Sequence, residues 1–551
     1  MIFMSGFYFS NSYSSPEDFK ARCEFLKSRG SHLSTKVLKG AAIGYSSHSD
    51  SKIPVSYNKC HVILDGQVYN FNSLNKDFEA KDQPELLAKM YRKYGEKMLC
   101  FINGSFSFVI YDTAKSVVFG ARDRLGEKPF FYAQSADSIE CSSCLRAVAY
   151  QKKFGINENA RRMYAHFGFI YDSECILEGI NKLPAGHYFT FDLKNNKFKV
   201  EQYWEISDSY NQYPKFDKIE DTVSFIHFLL KDSIELRFPF FGVGMGISSG
   251  TDSFAIFSIL KKDLEKDPYL LNLVSKHDEL EKTMSHVKAV DPNKRVNGVV
   301  PSRMDYLRGI ENYHLYYDEP NADLSCINTD VLFRIIKTAG YSTAFSGVGG
   351  DDIFFGKPNY LPYLKSCAQK YRLSCSDLRN AFYNKPVEDP FERLLIPNDQ
   401  MSMQRYDTKT FLQNLLVKED IVSSHNGIEV RNPFCDYRLV EFANTLGIND
   451  QFKNNQLKFL LKTLLLNKTG VDFFKEKKIG FGPGTKAISL SLDTEQILAV
   501  LSPSNIERYF PELQYRYILK LISDRGTDEV VVWNLYLFIK IMESYRQNIC
   551  K

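Results

Sequence analysis

The stretch Gly246-Ile247-Ser248-Ser249-Gly250-Thr251-Asp252-Ser253 is the part of this chain best suited to chemistry. It follows a glycine-spaced apolar segment, Phe241 to Met245, and leads into Phe254 to Leu260, whose composition can open a helix. A strand, a loop of small and hydroxyl residues, then a helix is an arrangement that cradles phosphate. Small residues let backbone N–H groups approach the anion, and the helix N-terminus adds favourable partial charge. Asp252 repels phosphate directly, and fits such a loop if it holds a divalent cation against the anion. The same residues also read as an ordinary capped helix start, since Ser, Thr and Asp are good N-caps. Alone, the stretch does not separate the two readings.

A second segment does. Ser346-Gly347-Val348-Gly349-Gly350-Asp351-Asp352 follows the apolar residues Tyr341 to Phe345 and is another strand-to-loop transition. Two such loops at the carboxyl ends of neighbouring parallel strands face one crevice, where open α/β sheets bind ligands. One carboxylate from each, Asp252 and Asp351, is then expected to clamp a single Mg²⁺ on a triphosphate. The expected nucleotide cradle is Ser248, Ser249, Gly250, Thr251, Asp252 and Ser253 with Gly347 and Gly349.

These loops resemble the S-G-G-x-D-S and S-G-x-G-G-D motifs of the glutamine-dependent asparagine synthetases, with Ser249 in place of the first motif's first Gly. Relatives of that family are the β-lactam synthetases and lasso-peptide cyclases. Asp318-Glu319-Pro320-Asn321-Ala322-Asp323 resembles its D-E-P-x-A-D, and Glu429-Val430-Arg431-Asn432-Pro433-Phe434-Cys435-Asp436 its E-V-R-x-P-F-x-D. Gln456 to Lys462 resembles a K-x-x-L-R helix, and Lys477-Lys478-Ile479-Gly480-Phe481-Gly482 a K-x-G-F-G loop. The resemblance implies an ATP-dependent ligase that adenylates a carboxylate, releases pyrophosphate and passes the acyl-AMP to an amine. It implies Lys478 and Lys458 as charges near the transition state and gives Glu429 a place beside them. Lys458 also reads as a solvated helical lysine, and Glu429 as a salt-bridge partner of Arg431.

Three departures bear on the chemistry. Val348 stands where the family tends to carry Glu, Tyr or His near the acyl-AMP, and valine relays no proton, so Asp352 or Glu429 is a candidate substitute. Ile421 and Ser424 replace the Arg and Met of L-V-K-x-D-R-x-S-M, which argues against aspartate as the acid. Ile2 occupies the position of the glutaminase Cys, Asp65-Gly66-Gln67 replaces N-G-E, and no R-G-P-D segment is found, although Asp82 matches a substrate-amine ligand. A glutaminase-like half without glutaminase activity is therefore expected, kept because it packs on the synthetase half, with Arg122 to Pro129 in that role.

The elements that would position these residues divide the chain. Before about residue 205 it reads as strands and hairpins, among them His61–Leu64, a turn-like Asp65-Gly66, Ser105–Tyr111 and Ser116–Ala121, with helical spacing over Glu85–Tyr94. The fold class is therefore α/β. Residues 1–205 are expected as an α+β glutaminase-like sandwich of two antiparallel sheets between helices. A linker over 206–220 joins it to a synthetase domain, 221–551, with a parallel sheet and many helices. The apolar spacing over Asp528–Tyr545, with Trp533 and Phe538, reads as core packing.

Composition excludes several other classes. A net charge of +4 spread along 551 residues asks for no nucleic acid. No apolar run reaches the roughly 18 residues of a membrane span, and the first residues lack a basic region and cleavage site, so a cytoplasmic protein is expected. Eleven scattered Cys read as reduced thiols. The expected partners are ATP, a carboxylate-bearing small molecule, glycan acid or peptide, and an amine or ammonia, with a homodimer left open. Two alternatives stand beside the ligase: an ammonia-dependent asparagine synthetase-like enzyme, and a non-catalytic nucleotide-binding scaffold.

Overall fold

The computed structural model describes residues 5–48, 55–171, 173–206, 212–274, 277–360, 395, 399, 401–476, 493–523 and 529–548. Ile2 and Lys478 lie outside them. Among the described residues three sheets form. The first runs β10 (Asn181–Lys182), β8 (Phe131–Gln134), β9 (Ile139–Ser142), β1 (Ser5–Ser10), β3 (Ala41–Ser47) and β2 (His32–Leu38). The second runs β12 (Lys197–Gln202), β11 (His187–Asp192), β7 (Val117–Arg122), β6 (Gly104–Asp112), β5 (Cys60–Val68) and β4 (Val55–Tyr57). Both are antiparallel. Phe7, Phe9, Tyr45, Ile63, Val109 and Phe189 fill the space between them, as alternating inward residues of a sandwich must. The Gln83–Tyr94 helix packs on the outer face of the second sheet. Asp82 caps it by accepting from the Glu85 N–H, and Gly95 at φ +60° ends it.

One expectation from the sequence fails here. Asp65-Gly66 does not turn the chain: β5 runs straight through it, pairing with β6 from Cys60–Asp112 to Val68–Gly104. Gly66 sits at φ +111°, where a side chain would be strained and a Cβ would collide with the Ser105 carbonyl. Close backbone approach inside the ladder, rather than a turn, sets the need for glycine.

The third sheet is parallel, ordered β15 (Asn297–Val299), β14 (Tyr269–Leu273), β13 (Gly244–Gly246), β16 (Thr343–Phe345) and β17 (Glu429–Arg431). Chain order runs outward in both directions from the β13–β16 pair, so the topological switch point lies there. Helices Ile219–Arg237, Thr251–Lys262 and Phe459–Thr469 pack on it through Ile226, Phe254, Phe257, Leu461 and Leu465. Trp533 and Phe538 of the Glu529–Asn548 helix are core residues, as their spacing indicated. Their cluster also takes in Ala160 and Tyr164 from the first half and Leu271 and Ile327 from the second. The two halves thus share apolar interior.

Polar cross-links complete the junction. Asp123 accepts N–H bonds from Leu125, Glu127 and Lys128, and the Arg122 guanidinium donates to the carbonyls of Gly126, Lys128 and Leu183. So braced, the 122–129 loop sends Lys128 to Asp420 at 2.5 Å and Glu127 to Asn432 at 3.1 Å. No helix among the described residues is long and apolar enough to cross a membrane.

Candidate functional site

The loop after β13 and the loop after β16 lie side by side at the carboxyl ends of adjacent parallel strands. The backbone shows why both need glycine. A Cβ on Gly350 would come within 2.6 Å of the Asp252 carboxylate, and one on Gly347 within 3.0 Å of the Asp252 Cβ. Gly349 is held at φ +96°, a left-handed conformation that a bulky residue resists. Small residues therefore let the two loops touch.

In the first loop Gly250 is the N-cap of the Thr251–Lys262 helix. The Ser253 Oγ accepts the Ser248 N–H at 3.1 Å, and the Ser248 Oγ accepts the Gly250 N–H at 3.2 Å. Ser248 and Gly250 are exposed, Ser249 and Ser253 half-buried and Thr251 buried. The side chain of Thr251 donates to Asp252 at 3.2 Å. Partly exposed hydroxyl-bearing residues thus stand at a helix N-terminus, a setting that suits an anion.

Asp252 and Asp351, 99 residues apart in sequence, converge on one cation. Lys458 Nζ lies 2.5 Å from Asp252 Oδ2 and 2.7 Å from Asp351 Oδ1. Burial disfavours the Lys458 charge, but the two carboxylates outweigh it and hold its pKa above the usual lysine value. Lys458 is not a solvated helical lysine. It is buried, and its backbone sits at φ +56° as the N-cap of the Phe459–Thr469 helix. A non-glycine residue held in that region costs on the order of 1 kcal/mol or more and often marks a functional constraint. Gly356 gives the ammonium stem its space: a Cβ there would strike Lys458 Cε and Asp351 Oδ1.

The other sequence candidates are placed differently. Glu429 directs one oxygen to Arg431 Nε at 2.7 Å and the other to Gln67 Nε2 at 3.4 Å. Its carboxylate is directed to an ion pair and the inter-half contact, which fits the salt-bridge reading of this residue given beside the catalytic one. Asp352 is paired with Lys357 at 2.7 Å, and Lys357 with Asp407. Asp318 accepts the Leu145 N–H, capping the short Leu145–Ala149 helix, and pairs with Arg146. Glu319 holds Lys182 and the Ile176 N–H. The Asp-Glu-Pro segment therefore clamps the first half to the second. Ile421 lines a small pocket between the halves with Phe131, Phe169 and Val417.

Sequence reasoning missed a residue beside the loops. Glu419, in the Phe411–His425 helix, accepts a hydrogen bond from Ser346 Oγ at 2.7 Å, and the Val348 N–H donates to the same hydroxyl. Its other oxygen, Oε2, is buried with no hydrogen-bond partner among the described residues. Burial pushes the Glu419 carboxyl up to about 7, against the opposing pull of Lys418. The signal was present as Lys418-Glu419-Asp420, three ionisable residues in a row within a stretch holding Leu412, Leu416 and Val422.

Comparison with known proteins agrees with this geometry. Residues 12–204 match the glutamine amidotransferase domain profile, and residues 228–529 match that of asparagine synthase. Among similar proteins is asparagine synthetase (glutamine-hydrolysing) 3 of Bacillus subtilis, 25% identical over 520 residues, covering 86% of this chain and 83% of that protein. Asparagine synthetase (glutamine-hydrolysing) 1 of the same organism is 23% identical over 559 residues, covering 88% and 86%. A Methanocaldococcus jannaschii protein provisionally named asparagine synthetase (glutamine-hydrolysing) 2 is 28% identical over 313 residues, covering 54% of this chain and 59% of that protein's length. The asparagine synthase profile spans more than half of the chain, and with the two loops meeting at the switch point it shows that this protein belongs to the asparagine synthase family of ATP-dependent carbon–nitrogen ligases.

Proposed function

We propose that the protein joins an amine to a carboxylic acid through an acyl-AMP intermediate, with release of pyrophosphate and without glutamine hydrolysis of its own. The observation that carries this reading is the meeting of Asp252 and Asp351 on Lys458 at the mouth of the parallel sheet. Two carboxylates held together around a positive charge are a fitting donor set for Mg²⁺, which favours carboxylate, phosphate and water oxygens. Asp252 and Asp351 would hold the ion. When bound it would neutralise charge on the phosphates. Released from the carboxylates, Lys458 would be free to turn its ammonium toward the same phosphates. Ser248, Ser249, Gly250, Thr251, Ser253, Gly347 and Gly349 would line the nucleotide. Lys478 is a second proposed charge.

The contacts of three residues support the loss of glutaminase chemistry. Asp65 is fully buried against Arg29 at 2.9 Å. Gln67 accepts from Gln83 Nε2 at 3.0 Å and donates to Glu429. Asp82 is engaged as a helix cap. These side chains are engaged by the protein, which leaves them poorly placed to bind free glutamine. The apolar Ile421 supports an acid other than aspartate. The deciding experiment is pyrophosphate release from ATP and Mg²⁺ against a panel of carboxylates, with Asp252→Asn as control. Release with at least one acid, lost in the control, is expected; none with any acid would overturn the reading.

A further inference from the structure

We propose that Glu419 is the base that receives the proton of the attacking amine in this ligase, an assignment that rests on the ligase reading above. The Phe411–His425 helix buries three consecutive ionisable side chains, and each points to a different neighbour. Lys418 turns to Asp323 at 3.0 Å and Ser325 at 2.8 Å. Asp420 turns to Arg29 at 2.7 Å and Lys128 at 2.5 Å. Both charges are matched. Glu419 turns to the start of the Ser346–Gly350 loop and meets only a hydroxyl there. A buried carboxylate oxygen left unsatisfied costs on the order of 1–3 kcal/mol, and such a group calls for a reason.

The reason lies in what the neighbouring residues lack. Val348, two residues beyond Ser346, cannot take a proton. Asp352 and Glu429 are ionisable, but Lys357 and Arg431 occupy them. Of the four, Glu419 is the ionisable one that no cation pairs with among the described residues, and it lies one hydrogen bond from the loop that packs against Asp252. The charged and titratable groups that act on it are Lys418, which favours its ionised form, and Asp323, which opposes it, with the Cys435 thiol also within electrostatic reach. That balance leaves the carboxyl poised near neutral pH, where a general base works best.

A neutral amine attacks the acyl carbon of the acyl-AMP, forming the C–N bond and a tetrahedral adduct with a cationic nitrogen. The nitrogen passes one proton to Glu419 Oε2. The C–O bond to the phosphate breaks, its electron pair leaves on AMP, and Glu419 later releases its proton to solvent.

The test uses the full chain, the acid selected by the pyrophosphate screen, and two nucleophiles, ammonium chloride and hydroxylamine. Hydroxylamine is largely neutral at pH 7 and reacts with acyl-AMP without strong need of a base. In Glu419→Gln, acid-dependent ATP–pyrophosphate exchange and hydroxamate formation should stay within about threefold of wild type. Amide formation with ammonia should fall about 10²-fold or more, and the pH–rate profile expressed per free NH3 should lose its rise near neutrality. Glu419→Asp should restore part of the ammonia rate, and thermal unfolding should report both variants folded. Equal loss of exchange, hydroxamate and amide in a folded Glu419→Gln, or an undiminished ammonia rate, would overturn the role. Absence of acid-dependent exchange in the wild type would instead sink the ligase reading, and this role with it.

Discussion

Carboxylates gather in two regions of this molecule, and they are treated in opposite ways. Between the halves, Asp65 and Asp420 share Arg29, and Asp420 also holds Lys128, all buried. Burial alone would raise the Asp420 pKa, yet the two cations pull it below the usual carboxylate range. At the sheet mouth, Asp252 and Asp351 share Lys458 but remain only partly buried, beside exposed Ser248 and Gly250. The first cluster is closed and cancels its charge inward. The second stands beside exposed loop residues, where a bound metal ion and nucleotide could replace the lysine. A buried pair whose every partner is protein favours one assembled geometry, whereas a partly exposed pair can exchange partners with a ligand.

That contrast can be broken by experiment. The largest effect is expected at the open cluster, where Asp252→Asn or Asp351→Asn should lower pyrophosphate release about 10²–10³-fold with little change in thermal stability. A large drop in stability with activity retained would make this cluster structural as well. Lys458→Met should cost about 10²-fold in the same assay. In the absence of nucleotide it should leave two carboxylates facing each other, so added Mg²⁺ should raise Tm more in the variant than in wild type. At the closed cluster the effects should reverse: Asp420→Asn leaves Arg29 and Lys128 short of a buried partner and should destabilise by about 3–5 kcal/mol in urea denaturation.

Smaller effects refine the picture of the junction. Burial, with help from Asp123, pushes Glu127 up to about 8. The folded chain thus keeps a proton there that the unfolded chain sheds above about pH 4.3. This contribution to stability is present below that pH and is lost as pH rises towards about 8. Glu127→Gln removes the dependence, so its stability relative to wild type should improve from pH 5 to pH 8; parallel urea titrations giving a constant difference would argue against a protonated Glu127. The smallest signal is a null one, since incubation with glutamine should yield no glutamate above the buffer background. Glutamate at turnover rates would show that Asp65 and Gln67 are more available than their contacts indicate.

Much of this was legible in the chain itself. Glycine and hydroxyl residues after short apolar segments marked both loops, because few other residues permit the close approach of Gly347 and Gly350 to Asp252. Alternation marked β6 and β7, and the 3.6-residue spacing marked the Gln83–Tyr94 and Glu529–Asn548 helices. Where local pattern misled, a distant neighbour was responsible. Asp65-Gly66 has the composition of a turn, yet pairing with Ser105 to Ser107 carries the strand through it. Asp82, at a position that resembles a ligand site, accepts the Glu85 N–H as a helix cap.

The sequence by itself determined the order of elements, the family and the two glycine-rich loops that meet at the sheet mouth, since these depend on residues that are neighbours along the chain. Only the tertiary structure decided which charges meet. Lys458 lies 206 residues from Asp252, and Arg29 lies 391 from Asp420. Whether a carboxylate ends as a strut, a candidate metal ligand or an unpaired base depends on the cation that packing brings within about 3 Å. Asp420, Asp252 and Glu419 follow those three paths within one fold, and no local spacing distinguishes them.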